Sequence, residues 1–267
     1  MVVITKITTQ KKNTERFNIF IDRGSGEEFG FSVDQDVLIK HHLKKGVKLS
    51  EEQLRDIFYD DGVKKAFNLA INYLSYRMRT KKEISQYLAG KEIEPAVIDE
   101  VIVKLNDYRY IDDLAFANAF VRSRMNTTAK GPRVIRQELI EKGITNKDIE
   151  KSLTQYPLGQ QIETAVRLLE KKSNQYARLS EKALKAKLSE VLASKGFSME
   201  VIHQAIAQVE IEKDEGEEWE ALLIQANKVK KRYAKYDGYE YKQRMKQFLY
   251  RKGFPLDLID RYLKCED

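Results

Sequence analysis

Leu139-Ile140-Glu141-Lys142-Gly143-Ile144-Thr145-Asn146-Lys147-Asp148-Ile149 contains a helix end, a turn and a helix start. Lys142 suits the negative end of a helix dipole, and Gly143 suits the left-handed C′ position that closes the helix. Ile144 then falls at C″, where it packs back on Leu139 at C3 as a Schellman motif requires. Thr145 caps the next helix. Ile144 serves a second time as the residue before that cap, stapled to Ile149.

Working outward, Ile135 lies one helical turn before Leu139 on the same face. The pattern recurs as Ile84/Leu88/Ile93/Ile98, Leu188/Leu192/Phe197/Ile202 and Met245/Leu249/Phe254/Ile259, with Lys195-Gly196 and Lys252-Gly253 at the turn. The leucines step by 51 (88 to 139), 53 (139 to 192) and 57 (192 to 249) residues. That period is longer than the ~34 residues of tetratricopeptide helix pairs and fits three helices. Ser198 caps the third copy and Pro95 stands at N1 in the first. Ile102, Leu153, Ile206 and Leu263 continue the apolar face. The first copy departs in having Glu92 at the glycine position; a left-handed non-glycine residue costs roughly 1–2 kcal/mol, so its helix is expected to end near Gly90. Less regular preceding helices are marked by Phe67/Ala70/Leu74, Phe116/Ala119/Phe120, Val166/Leu169 and Leu222/Leu223/Ala226.

The fold expected is mainly α: tandem three-helix repeats forming an elongated array, with a small N-terminal α+β module. The divisions read as 1–62 for the module and 63–107, 108–157, 158–210 and 211–267 for the repeats. In the module, Val2-Val3-Ile4, Arg16 to Ile21 and Glu28 to Val33 read as strands, with Gly24-Ser25-Gly26 as the turn between the last two. A short helix is expected from Asp34 to Leu43. A longer one begins at Ser50, where Ser50 and Gln53 form a capping box and Leu49 staples to Leu54. Gly24, Gly26 and Gly30 miss the dinucleotide fingerprint by one residue, and no βαβ unit follows.

Of 267 residues, 42% are hydrophobic and 33% charged, with 4 prolines, 13 glycines and a net charge of +7. No apolar run approaches the ~18 residues of a membrane span, so a cytoplasmic protein is expected, acting as a monomer. Cys265 is the only cysteine, which excludes an internal disulfide. His41, His42 and His203 show no metal-ligand spacing, and no phosphate-binding loop, nucleophile elbow or zinc-protease helix is present. Neither catalytic residues nor cofactors are expected. The pairs Asp60-Asp61 and Asp112-Asp113 read as caps beside helix starts.

Two stretches concentrate positive charge. The first comprises Arg77, Arg79 and Lys82 in the first repeat and Arg122, Arg124, Lys130, Arg133 and Arg136 in the second, flanking the turns between first and second helices. There Thr80 and Glu83 form another capping box, and Gly131-Pro132 opens the equivalent helix. Helix starts with nearby arginines receive phosphates or carboxylates. The second stretch runs from Lys228 through Lys230, Lys231, Arg232, Lys235, Lys242, Arg244 and Lys246 to Lys252, interleaved with Tyr233, Tyr236, Tyr239, Tyr241 and Tyr250. Such a mixture suits single-stranded nucleic acid, and equally suits tyrosines packed between helices with a solvated basic face. The acidic run Glu210 to Glu220 is expected to be an exposed entry to the last repeat.

Arg77-x-Arg79-Thr80-x-x-Glu83-Ile84, Asp112-Asp113-x-x-Phe116-Ala117-x-x-Phe120-Val121-x-x-Arg124 and Lys130-Gly131-Pro132-x-x-Ile135-x-x-Glu138-Leu139-x-x-Lys142-Gly143-Ile144 follow in this order. Over residues 66 to 153 the chain resembles the RecX family of bacterial RecA regulators. The resemblance implies a modulator that docks along the groove of the RecA filament on single-stranded DNA, restraining filament growth, ATP hydrolysis and strand exchange. An autonomous DNA-binding repeat protein is the alternative, and a protein-only scaffold a third reading.

Overall fold

A computed structural model of the chain describes residues 1–209 and 211–265. It divides into two compact units, Met1–Phe116 and Ala117–Asp267.

The first unit opens with β1 (Val2–Thr9), β2 (Arg16–Asp22), β3 (Glu27–Asp34), α1 (Gln35–Lys40) and β4 (Lys48–Leu49), the strands forming one antiparallel sheet in the order β3-β2-β1-β4. β4 has only two residues, so no alternation announces it. Gly24 and Gly26 adopt φ +106° and +109°, and Asp22 Oδ1 accepts both their amides at 2.7 and 3.0 Å. Ser50 and Gln53 cap α2 (Glu51–Leu74) reciprocally.

This single helix runs past residue 62, where the sequence pattern suggested a change of domain. Its Ile57 lies in the sheet core with Val2, Ile4, Ile19, Ile21 and Val33. Nearly two turns later Val63, and beyond it Ala66 and Ala70, pack with Ile84 and Leu88 of α3 (Lys81–Ala89) and Val101 and Leu105 of α4 (Pro95–Asp107). The module and the first repeat thus share α2.

Asp60 and Asp61 sit where these two cores meet, in the middle of α2, and are not helix caps. Nothing in residues 51–74 interrupts the helix, so the pair is carried to the sheet instead. Asp61 accepts both terminal nitrogens of Arg16 at 3.1 and 3.0 Å and the Asp34 amide at 2.9 Å, and pairs with Lys65 at 2.8 Å. Burial pushes the Asp61 carboxyl up, but the hydrogen bonds from Arg16, Lys65 and Asp34 outweigh it and hold it below the ordinary aspartate range. Asp60 accepts from Lys40 at 2.7 Å and lies 2.5 Å from His41 Nε2. The other acidic pair does cap: Asp112 Oδ1 accepts the Ala115 amide of α5 (Asp113–Thr128) at 2.9 Å, and Asp113 accepts the Lys81 amide that opens α3 at 3.0 Å.

Regular helix in α3 stops at Ala89, and Gly90 is right-handed (φ −67°). The left-handed residue is nevertheless Glu92 (φ +61°), its amide on Ala89 O and the Ile93 amide on Leu88 O at 2.9 and 3.2 Å. The apolar ladder holds the joint in register against the preference of the glutamate backbone. Glu92→Gly is expected to stabilise the protein by about 1 kcal/mol, because relief of the left-handed penalty exceeds the added entropy of the unfolded glycine. Urea denaturation checks this: a fall in stability would place the left-handed residue elsewhere.

In the second unit α5 ends before Ala129 (φ +47°) and is followed by α6 (Pro132–Glu141), α7 (Asn146–Leu153), α8 (Leu158–Ser173), α9 (Glu181–Ser194), α10 (Met199–Gln208), α11 (Glu215–Tyr233), α12 (Gly238–Arg251) and α13 (Leu256–Cys265). Gly143, Gly196 and Gly253 are left-handed at φ +83°, +89° and +89°. The amides of Ile144, Phe197 and Phe254 reach Leu139 O, Leu192 O and Leu249 O at 3.0, 3.2 and 3.3 Å, closing three Schellman turns. The paired second-helix residues of all four copies are completely buried, from Ile84/Leu88 to Met245/Leu249.

Neighbouring repeats in this unit meet at these turns. The amides of Gly131 and Arg133, at the start of α6, donate to Lys195 O and Gly196 O at 2.7 and 3.2 Å. Ser180, which caps α9, donates to Lys252 O at 2.6 Å and is itself buried. The first amides of α6 and the cap hydroxyl of α9 thereby satisfy the last carbonyls of α9 and α12. Glu218 is also buried, contrary to an exposed acidic entry: it lies on the inner face of α11 with Ala221 and Leu222, and accepts the Glu181 amide of α9 at 2.9 Å. Burial pushes its carboxyl up. Glu215 and Glu217 are exposed on the first turn of α11, while Glu210 lies outside the described residues. No helix among the described residues is long and apolar enough to cross a membrane.

Candidate nucleic-acid and partner interface

Five of the candidate cations, Arg79, Arg124, Lys130, Arg232 and Arg244, are engaged in one structural device, a basic–aromatic cluster between the first and second helices of a repeat. In the first repeat Tyr73 of α2 stacks on Tyr87 of α3, with ring centroids 4.0 Å apart and planes 6° from parallel. The Arg79 guanidinium lies 4.0 Å from the Tyr73 ring centre and Lys91 Nζ lies 5.8 Å from that of Tyr87. Arg77 pairs with Glu83 at 3.2 Å, and Lys82 is exposed on the first turn of α3.

Glu138 takes the place of Tyr87 in the second repeat, 51 residues on. Arg124 Nε donates to it at 2.9 Å and Lys130 pairs with its other oxygen. Burial raises the Glu138 carboxyl, but the hydrogen bond from Lys130 and the charges of Arg124 and Lys130 win, and it stays below the usual glutamate range. Arg124 also covers the Phe120 ring at 4.6 Å, with Lys142 at 5.9 Å. Arg122 donates to Gln155 at 2.8 Å, and Arg136 crosses to Glu150 of α7 at 2.6 Å. Arg133 is exposed and has no charged partner among the described residues.

Phe248, 161 residues after Tyr87, restores the ring in the last repeat. It meets Tyr233 edge-on at 6.4 Å, with Lys252 5.5 Å from its centre. Arg232 lies 5.1 Å from the Tyr233 ring centre, and Arg244 covers Tyr236 at 4.0 Å while pairing with Glu240 at 2.6 Å. Lys230 and Lys231 are exposed on α11, and Lys242 is half-buried on α12.

Cation–π contacts contribute about 0.5–1 kcal/mol at exposed sites, so these clusters brace the helix pairs, while the Arg124, Lys130 and Arg244 side chains remain partly exposed. A phosphate or carboxylate binding there competes with Glu83, Glu138, Glu150 and Glu240. The ring partners Tyr73, Tyr87, Phe120 and Phe248 are absent from the charge pattern that marks the stretches. Aligning the repeats at Leu88, Leu139 and Leu249 brings Tyr87, Glu138 and Phe248 to one position, and was the signal available.

The family model for the regulatory protein RecX N-terminal domain matches residues 2–50, and those for the first and second three-helix domains of RecX match 66–105 and 112–153. The third three-helix domain matches twice, at 159–206 and 216–263. The chain belongs to the RecX regulatory protein family. Regulatory protein RecX of Bacillus cytotoxicus is 48% identical over 269 residues, covering all of both chains, and that of Bacillus cereus is 48% identical over 266 residues, covering all of this chain and 98% of its own. A crystal structure of a regulatory protein RecX superposes with a TM-score of 0.71 at 35% identity, over 78% of this chain and all of that one. RecX from Lactobacillus salivarius gives 0.55 at 38% identity, over 57% and 99%. The double match of one RecX model makes the last two repeats variants of a single domain type.

Proposed function

We propose that the chain is a non-enzymatic regulator of RecA recombinase, mainly an inhibitor, that binds along the groove of the RecA filament on single-stranded DNA and modulates filament growth, ATP hydrolysis and strand exchange. Full-length correspondence to the RecX family carries this reading. In it the N-terminal module and four repeats divide at 62/63, 107/108, 157/158 and 210/211, with α2 shared. Successive repeats suit successive protomers of a helical polymer, because linked weak contacts gain affinity through effective concentration. The clusters around Arg79, Arg124 and Arg244 supply the cations.

Reversing charge at Arg124 would set two carboxylates together at Glu138, so a test belongs on cations that hold no carboxylate. Arg133→Glu with Arg122→Glu is expected to weaken inhibition of RecA-dependent ATP hydrolysis several-fold at low salt, with the difference from wild type shrinking as salt rises, while helicity by circular dichroism is unchanged. Full inhibition by the folded double variant overturns the assignment of this face. Cosedimentation separates the main reading from autonomous DNA binding: retention on assembled filaments well beyond that on naked DNA at moderate salt supports the filament, and equal or stronger retention on naked DNA supports the alternative.

A further inference from the structure

Along α12, Tyr239, Lys242, Gln243, Lys246, Gln247 and Tyr250 follow the spacing i, i+3, i+4, i+7, i+8, i+11 and therefore share one stripe. The stripe is about 16 Å long at 1.5 Å per residue. It forms one wall of an open groove of about 770 Å³, whose other wall is α13 with Leu256, Asp260, Leu263 and Lys264. Tyr239 and Tyr250 are 76% and 61% exposed and Leu256 is 50% exposed, so both rings and an apolar side chain are open to a ligand in the groove. Lys242 and Lys246 line the α12 wall and Lys264 the α13 wall, where Asp260 pairs with Lys246 at 2.5 Å. The corresponding pair in the second repeat, Arg136 and Glu150, also bridges second and third helices, but Ala129 and Ile140 stand there in place of the two tyrosines.

We infer that this groove of the last repeat is a track for single-stranded nucleic acid, with bases stacked on Tyr239 and Tyr250, phosphates on Lys242 and Lys264, and the Gln243 and Gln247 amides at base edges. A lysine-lined groove alone would accept any polyanion. Two exposed rings on the same stripe select a polyanion with unpaired planar faces, which a duplex does not offer. The inference deepens the proposed function and rests on it for the identity of the strand.

The test uses the full chain and a fluorescent oligothymidylate, its abasic counterpart of equal length, and a duplex. Tyr239→Ala/Tyr250→Ala is expected to raise Kd for oligothymidylate about tenfold or more and to leave the weaker abasic and duplex binding unchanged. A photo-crosslinker on Cys265, the sole cysteine and exposed beside Lys264, should capture the oligothymidylate. Equal affinity of variant and wild type, absence of crosslinking, or no binding of oligothymidylate by the wild type overturns the inference. So does an oligoglutamate that competes as well as the strand and is weakened equally by the tyrosine substitutions, which would make the groove a site for acidic protein segments. Filament cosedimentation of wild type and double variant keeps the two readings apart: filament binding retained by a variant that has lost oligothymidylate binding supports both, whereas no filament binding by the wild type overturns the proposed function alone.

Discussion

Asp61→Ala lowers the stability of the first unit by about 3–5 kcal/mol, the cost of leaving a buried partner without its counter-charge. The Arg16 and Asp61 side chains are only 15% and 5% exposed, so water cannot replace the lost carboxylate. The Asp34 amide loses its acceptor as well. Replacing both partners, as Arg16→Met/Asp61→Leu, is expected to recover most of the loss, because two apolar groups of similar volume leave no orphaned charge. The pH dependence has a definite sign. The folded Asp61 carboxyl titrates below its unfolded value of about 3.9, so its contribution is complete above that pH and disappears as pH falls through the folded value. The difference between wild type and Asp61→Ala should be constant near neutrality and shrink below about pH 4. Trp219, the only tryptophan, lies in the second unit and provides the control. Urea unfolding followed by circular dichroism should show the destabilised transition, while Trp219 emission should not move. An equal shift in both would mean that the ion pair is not confined to the first unit's stability.

The repeat was legible because helix ends are encoded locally. A lysine, a glycine and an apolar residue in succession specify a left-handed cap and its packing partner within six residues, and the structure closes Ile144 on Leu139 accordingly. Where the determinant was distant, sequence reasoning misplaced it. Asp60-Asp61 read as capping residues because acidic pairs favour helix starts, whereas their partners, Arg16 and Lys40, lie on the sheet and on α1, 45 and 20 residues away. Glu218 read as solvated because its neighbours are acidic, yet its side chain points at the start of α9. The cations of the candidate interface were visible as residue types. Their pairing with Glu138, Glu150 or a ring depends on how two helices pack, and no local spacing records it.

Gly196→Ala is expected to destabilise the second unit by about 3 kcal/mol or more, since two independent penalties fall on one methyl group. The residue sits at φ +89°, where a Cβ costs roughly 1–2 kcal/mol. The same Cβ would stand 2.6 Å from the Val134 amide nitrogen and 2.8 Å from Val134 Cγ2, so α6 must withdraw from the turn. Withdrawal breaks the two hydrogen bonds from Gly131 and Arg133 that join the second repeat to the third. Gly131→Ala attacks the joint from the other side: its backbone is ordinary (φ −79°), but a Cβ would lie 2.4 Å from Gly196 C. It should approach the Gly196→Ala loss through crowding alone, typically about 1–3 kcal/mol. Gly159→Ala is the control, with open space around it on the first turn of α8, and should be neutral or slightly stabilising. In a repeat array the interface between neighbours carries cooperativity. Both joint variants should therefore separate the Trp219 emission transition, which reports the last repeat, from the overall loss of helix. Coincident transitions at reduced stability would instead assign the loss to the third repeat itself, with the junction left intact.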